Sequence, residues 1–264
     1  MRFKQFLEQG PASLQKTEMP YAQIKSWVKI HAPKFFKQNI PIYRGIFHAP
    51  HGKAEGLYNS RSMERKAANT HNYYNLWIDN HDDWKDYPKR KKSFVASFSS
   101  RKAAEYTTEN DEGSFYYVIP KDGTPIGICP ADDMWDSFDF WHMNKYMEFF
   151  HAIAKNDTDW SNFVKVTDGI KQQDLEDLAD GTTEIQGASS EVARNLAIAT
   201  SRKFFNLYNY LERQGFNPEF NKFKLEYAGS LDPSLKNKDR ECWMAGDVMI
   251  VTEDTWEKLE DDLL

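Results

Sequence analysis

Ser93-Phe94-Val95-Ala96-Ser97-Phe98-Ser99-Ser100 is followed by Phe115-Tyr116-Tyr117-Val118-Ile119, Lys121-Asp122-Gly123-Thr124 and Ile126-Gly127-Ile128-Cys129. The aromatic and β-branched runs read as strands. Ser99 or Ser100 suits a helix N-cap, its hydroxyl serving amides that have no partner in a first turn, and Arg101 to Thr107 reads as a short helix. With turn residues at 121–124, the second half reads as a β-turn-β unit. On the N-terminal side, Ile40-Pro41-Ile42-Tyr43-Arg44-Gly45-Ile46-Phe47 alternates, Ile40, Ile42, Arg44 and Ile46 on one side and Tyr43 and Phe47 on the other. Before it, Tyr21, Ile24, Trp27, Val28 and His31 fall at helical spacing, with Pro20 suited to a first turn and Pro33 to ending or kinking the helix. Residues 48–90 read as short helices and loops. Helical patterns run over Met134–Ala154 and Glu191–Arg213, with Gly215 as a C-cap, and β character returns at Phe220–Tyr227 and Glu241–Val251 before a short acidic helix. Strands on both sides of a long helical stretch predict an α+β protein in which early and late strands share a sheet.

The chain has 264 residues, enough for a sizeable core, and its 15% aromatic content excludes disorder throughout. Thirteen Gly and 11 Pro are too few for a collagen-like chain. Thirty-four basic against 40 acidic side chains leave a net charge of -6, which works against nucleic acid or an anionic membrane as partner. Cys129 and Cys242 lie far apart, without the spacing of a disulfide framework or zinc knuckle, so a reducing compartment is expected. Apolar runs such as Val248–Val251 are of strand length, far short of the roughly 20 residues a membrane helix needs. Met1–Glu8 is charged and amphipathic without an apolar core of signal-peptide length, and the expected location is the cytoplasm.

Three short segments carry chemistry in a telling order: Tyr43-Arg44-Gly45 on the first strand, Ser97-Phe98-Ser99 at a strand end before a helix, and Asp239-Arg240-Glu241 at the start of a late strand. The pattern resembles the Arg-Ser-Glu class of mono-ADP-ribosyltransferases, a class that includes bacteriophage enzymes acting in the host cytoplasm. The resemblance covers roughly residues 40–130 and 220–252. Phe98 stands where the family often has Thr, and Asp239 where arginine-modifying members have Glu or Gln. The resemblance implies an ADP-ribosyltransferase-like core of mixed β-sheets over 40–130 and 216–264, an N-terminal helical segment over 1–39 and a helical insertion over 131–215. It also implies transfer of ADP-ribose from NAD, used as substrate, to a macromolecular acceptor, a protein before a nucleic acid, with release of nicotinamide and no metal.

By the same resemblance Glu241 is the carboxylate beside the ribose, since cleavage of the nicotinamide bond builds positive charge there, and Ser97 orients it. Arg44 pairs with a phosphate or ribose oxygen, Gly45 lets the backbone approach the nicotinamide amide, Ser99 supports them, and Asp239 orients or deprotonates the acceptor. Read alone, Arg44 suits a structural ion pair or sheet edge, Ser97 and Ser99 an N-cap pair, and Asp239–Glu241 a charged turn. An NAD glycohydrolase, water replacing the acceptor, and a non-enzymatic adaptor using the helical insertion are the alternatives. Arg61, Arg65, Asn69 and Asn72 fall where the family puts the helix and loop of its active site. His48, His51, His71 and His81 lack a metal-ligand spacing and read as solvated loop residues, and Lys89-Arg90-Lys91-Lys92 reads as a solvated strand entrance that reaches a pyrophosphate or acidic target at most.

Overall fold

A computed structural model of the chain describes residues 15–46, 55–61, 72–105, 115–138, 143–156, 158–186, 188–200 and 205–264. Among them are ten α-helices and nine strands: β1 (Gln15–Thr17), β2 (Tyr43–Gly45), β3 (Gly56–Asn59), β4 (Phe94–Ser97), β5 (Phe115–Pro120), β6 (Pro125–Ile128), β7 (Lys224–Tyr227), β8 (Glu241–Met244) and β9 (Asp247–Val251). All pair antiparallel in one sheet, ordered β1-β3-β9-β5-β2-β4-β8-β6-β7. The chain is thus mixed α and β, with early and late strands interleaved in one sheet. It divides into a sheet unit of residues 1–69, 86–134 and 223–264 and a helical unit of residues 70–85 and 135–222.

Two corners shape the sheet unit. Strands β5 and β6 flank the Lys121–Thr124 turn but are not neighbours, so the unit read from the sequence is a corner and not a hairpin. The turn closes locally, Thr124 N donating to Lys121 O at 3.0 Å, while Asp122 N and Gly123 N donate to His31 O at 2.8 Å and Ala228 O at 2.9 Å. The Asp122 carboxylate accepts from Lys34 N at 2.9 Å and Phe35 N at 2.8 Å, amides of the first turn of the helix Pro33–Gln38. The single strand expected over Glu241–Val251 breaks in the same way at Ala245-Gly246 into β8 and β9, which lie apart in the sheet. Gly246 takes φ +121°, open to glycine and rarely to other residues, and its N–H donates to Ser60 Oγ at 2.8 Å.

The sheet also curls. On a flat sheet β3 and β4, four strand steps apart, would be separated by about 19 Å. Yet the rings of Tyr58 on β3 and Phe94 on β4 meet edge-on at 6.1 Å. The concave face buries Tyr116, Val118, Val248, Ile250, Cys242 and Met244. Helices cover the other face of β5 and β9, where Trp256 of the helix Glu253–Leu263 stacks on Tyr117 at 4.6 Å and meets Phe36 at 4.9 Å. The N-terminal helix reading is realised as Tyr21–His31, which follows Pro20, and Pro33–Gln38, where Pro33 occupies the first turn and lacks only an amide that has no helical partner there.

The helical unit contains Tyr73–Asn80, Met143–Ala154, Trp160–Gly169, Gln172–Ala179, Ser190–Ala199 and Leu207–Tyr210, the last running on into a π-turn, Leu211–Gly215. One helix expected over 191–213 is therefore two, and Gly215 ends the π-turn. The unit packs around aromatic rings: Trp77 lies against His81 at 4.5 Å, Phe216 at 5.0 Å and Trp160 at 5.4 Å. Phe138, Tyr146, Phe149 and Phe150 are buried as core residues. His81, expected in solvent, is instead buried flat against Trp77, where stacking outweighs hydration of its ring. His48, His51 and His71 lie outside the described residues. No helix among the described residues is long and apolar enough to cross a membrane.

Candidate active site

Three neighbouring strands, β2, β4 and β8, carry the three sequence motifs. Tyr43 stands opposite Ser97, and Ser97 opposite Glu241, so one row crosses the sheet. Directly opposed residues of antiparallel strands share a face, which sets the side chains of Ser97 and Glu241 beside each other. The same alternation turns Arg44, one residue past the row, to the other face with Phe94. There its guanidinium lies 5.7 Å from the Phe94 ring centre and donates to Val95 O at 2.5 Å. Gly45 ends β2 opposite Phe115.

Ser97 and Ser99 divide two tasks. Ser97 is buried; its hydroxyl donates to Arg240 O at 3.3 Å and accepts from Ser99 N at 3.1 Å. It thereby joins the end of β4 to the residue before Glu241, a link reinforced by Phe98 N donating to Arg240 O at 3.2 Å. Ser99 is the N-cap of the short helix Ser100–Ala104, accepting from Lys102 N at 3.4 Å. The Ser99 hydroxyl and the Arg101 guanidinium together hold the Asp239 carboxyl below the usual aspartate range. Asp239 itself is exposed, and Arg101 is its ion-pair partner.

Glu241 is a carboxylate on an otherwise apolar buried strand, only 8% exposed. Leaving such a charge unpaired would be costly, and the partner is Arg90, whose Nη2 lies 2.5 Å from Glu241 Oε1. Arg90 is the second residue of the basic run and is buried, which corrects its reading as solvent-facing. Its guanidinium sits 5.2 Å from the ring centre of Trp243, and the indole N–H of Trp243 donates to Pro88 O at 2.8 Å. Tyr87 stacks on the same indole at 5.9 Å. Gly127 on β6 lies so close to that indole that a Cβ there would overlap it. The Cys129 thiol lies 3.8 Å from Glu241 Oε1. Cys242 faces the core, where burial pushes its thiol well above the usual range and keeps it from acting as a nucleophile.

Sequence reasoning missed Arg90. The signal was a lone Glu at the head of Glu241-Cys242-Trp243-Met244, which demands a buried cation, and arginine bears burial beside a carboxylate better than the neighbouring lysines do. Of the residues named for an active-site helix and loop, Arg61 is exposed, Asn72 precedes the helix Tyr73–Asn80 in the helical unit, and Arg65 and Asn69 lie outside the described residues. The result is a buried carboxylate held by one arginine and flanked by a serine, with an exposed carboxylate two residues away. Such a site can stabilise positive charge developing on a bound group and offer an outer base to an incoming nucleophile. No family model matches the chain, and neither does any curated protein or solved structure.

Proposed function

We propose that the chain cleaves the nicotinamide-ribose bond of NAD and transfers ADP-ribose to a macromolecular acceptor, most simply a protein, on an ADP-ribosyltransferase-like sheet. The observation that carries this reading is the row Tyr43, Ser97, Glu241: motifs scattered through the sequence meet on adjacent strands, with Ser97 directly opposite Glu241. As the glycosidic bond breaks, positive charge grows on the ribose, and the Glu241 carboxylate opposes it and accepts from the 2′-hydroxyl. Ser97 fixes the backbone just before Glu241 and so its aim. Asp239, outside the buried row, takes the proton of the acceptor. Arg90 is the ion-pair partner of Glu241, and a ribose hydroxyl competes with it for the carboxylate.

The engagement of Asp239 by Arg101 favours hydrolysis as the second reading, because an outside acceptor must displace that guanidinium whereas water need not. Incubating the chain with labelled NAD and a cell lysate, then following nicotinamide release and mapping modified residues by mass spectrometry, tests both. Nicotinamide release with labelled protein supports transfer; release with free ADP-ribose alone supports hydrolysis; no release removes both.

A further inference from the structure

The transferase reading leaves one acceptor already in place. Arg101 lies in the first turn of the helix Ser100–Ala104, directly after the Ser97-Phe98-Ser99 motif, and its Nη2 contacts the Asp239 carboxylate. Phe98 N and Ser97 Oγ both donate to Arg240 O, so the ends of the Ser and Glu motifs are joined beside the Arg101 guanidinium. Nη1 reaches Glu105 Oε1 at 3.2 Å, which fixes the plane of the group. The side chain remains 65% exposed. Only Arg240 lies between Asp239 and Glu241, so their Cα atoms are at most about 7 Å apart. A substrate ribose at Glu241 would therefore present its anomeric carbon close to where Arg101 is held.

We propose that Arg101 is a self-modification site, the chain's own guanidine taking ADP-ribose from NAD bound at Glu241. This rests on the transferase reading above. A guanidine nitrogen of Arg101 forms the new bond to C1′ of the ribose as the bond from C1′ to the nicotinamide nitrogen breaks. The electron pair of that bond leaves with neutral nicotinamide. The proton released from the guanidinium passes to Asp239 and from there to water. Arg61, Arg194 and Arg213 are exposed as well, and simple exposure would label all four. Placement at Asp239 selects Arg101.

The test uses the purified full chain with labelled NAD and no other protein, with nicotinamide release followed and modified residues mapped by mass spectrometry. The expected result is ADP-ribose on Arg101 well above Arg61, Arg194 and Arg213. Glu241→Gln should abolish that label, and Arg101→Lys should remove it from the position. Asp239→Ala, which takes away the base, should lower it by about 100-fold. Nicotinamide released with Arg101 unmodified, or Arg101 labelled equally in Asp239→Ala, overturns self-modification and leaves NAD cleavage standing. No nicotinamide release by any form of the chain overturns the underlying reading together with it.

Discussion

Glu241 reaches its place through a conflict between strand and charge, and the residue that resolves it governs what a substitution will do. Glu241→Gln keeps an acceptor for Arg90 but leaves that guanidinium buried without a countercharge, which costs up to about 3–5 kcal/mol. A fall in melting temperature should accompany a drop in kcat of about 100- to 1000-fold, with KM changed less. Adding Arg90→Met should recover much of the stability, since an apolar replacement of a buried pair is often close to neutral, without recovering NAD cleavage. Near-normal cleavage by a soluble Glu241→Gln chain would remove Glu241 from the reaction. Arg44 calls for a different measurement. The family resemblance makes it a ligand for NAD, whereas its contacts with Val95 O and the Phe94 ring tie β2 to β4. Arg44→Lys should therefore lower stability by about 1 kcal/mol with little change in NAD affinity by calorimetry. Weakened binding at an unchanged melting temperature would return Arg44 to the ligand role. Ser97 and Glu241 were legible as motifs through the family resemblance, and each lies at the strand end or start where the sequence puts it. Arg90 was not, because a basic run before a strand looks the same whether its middle residue meets water or a carboxylate.

At the scale of the element, many strands and helices followed from local chemistry, but β1 and β3 fall where the sequence reads as helices and loops, and other errors lie at element ends. Pro20 reads beside a helix start and Pro33 as a helix end or kink; the first helix does stop at His31, and Pro33 then opens a second, because a fixed φ and a missing N–H act within one turn. The run 115–129 reads correctly as strand, turn and strand, and 241–251 as one stretch, and each holds a corner whose stabilising partners lie far away in sequence: Ala228 and the helix Pro33–Gln38 for one, Ser60 for the other. Close approach adds a second non-local constraint. Gly127→Ala on β6 would drive a methyl group into the indole of Trp243 and should cost about 1–3 kcal/mol by thermal denaturation. Gly169→Ala, at the end of the helix Trp160–Gly169, meets no atom and has an ordinary backbone, so it should be neutral or stabilising by up to about 1 kcal/mol. Equal effects of the two would mean that Trp243 does not wall the site as described.

For the whole molecule, burial of phenols sets how folding responds to alkali. Tyr58 and Tyr87 are both pushed up to about 12 by burial. With the folded value above the ordinary one near 10, the protonated phenol belongs to the folded state. The stability it contributes is full below about pH 10 and is lost as pH rises towards 12. Phenolate absorbance should therefore show a late class of tyrosines that appears together with unfolding, and Tyr58→Phe should remove one member. Titration of all tyrosines near pH 10 in a folded chain would contradict this burial. Alternation, capping residues and turn chemistry, all readable within a few positions, determined that the chain has strands on both sides of a helical stretch and that Arg44 lies within a strand, Ser97 at a strand end and Glu241 at a strand start. Only the tertiary structure decided which strands are neighbours, that the sheet curls until Tyr58 meets Phe94, that Arg44 faces away from Glu241, and that Arg90 and Arg101 occupy the two carboxylates. The physical reason is that strand order and ion pairing are settled by burial between residues remote in sequence. A charge buried by a distant segment takes whichever partner the fold brings within reach, and no local pattern names that partner.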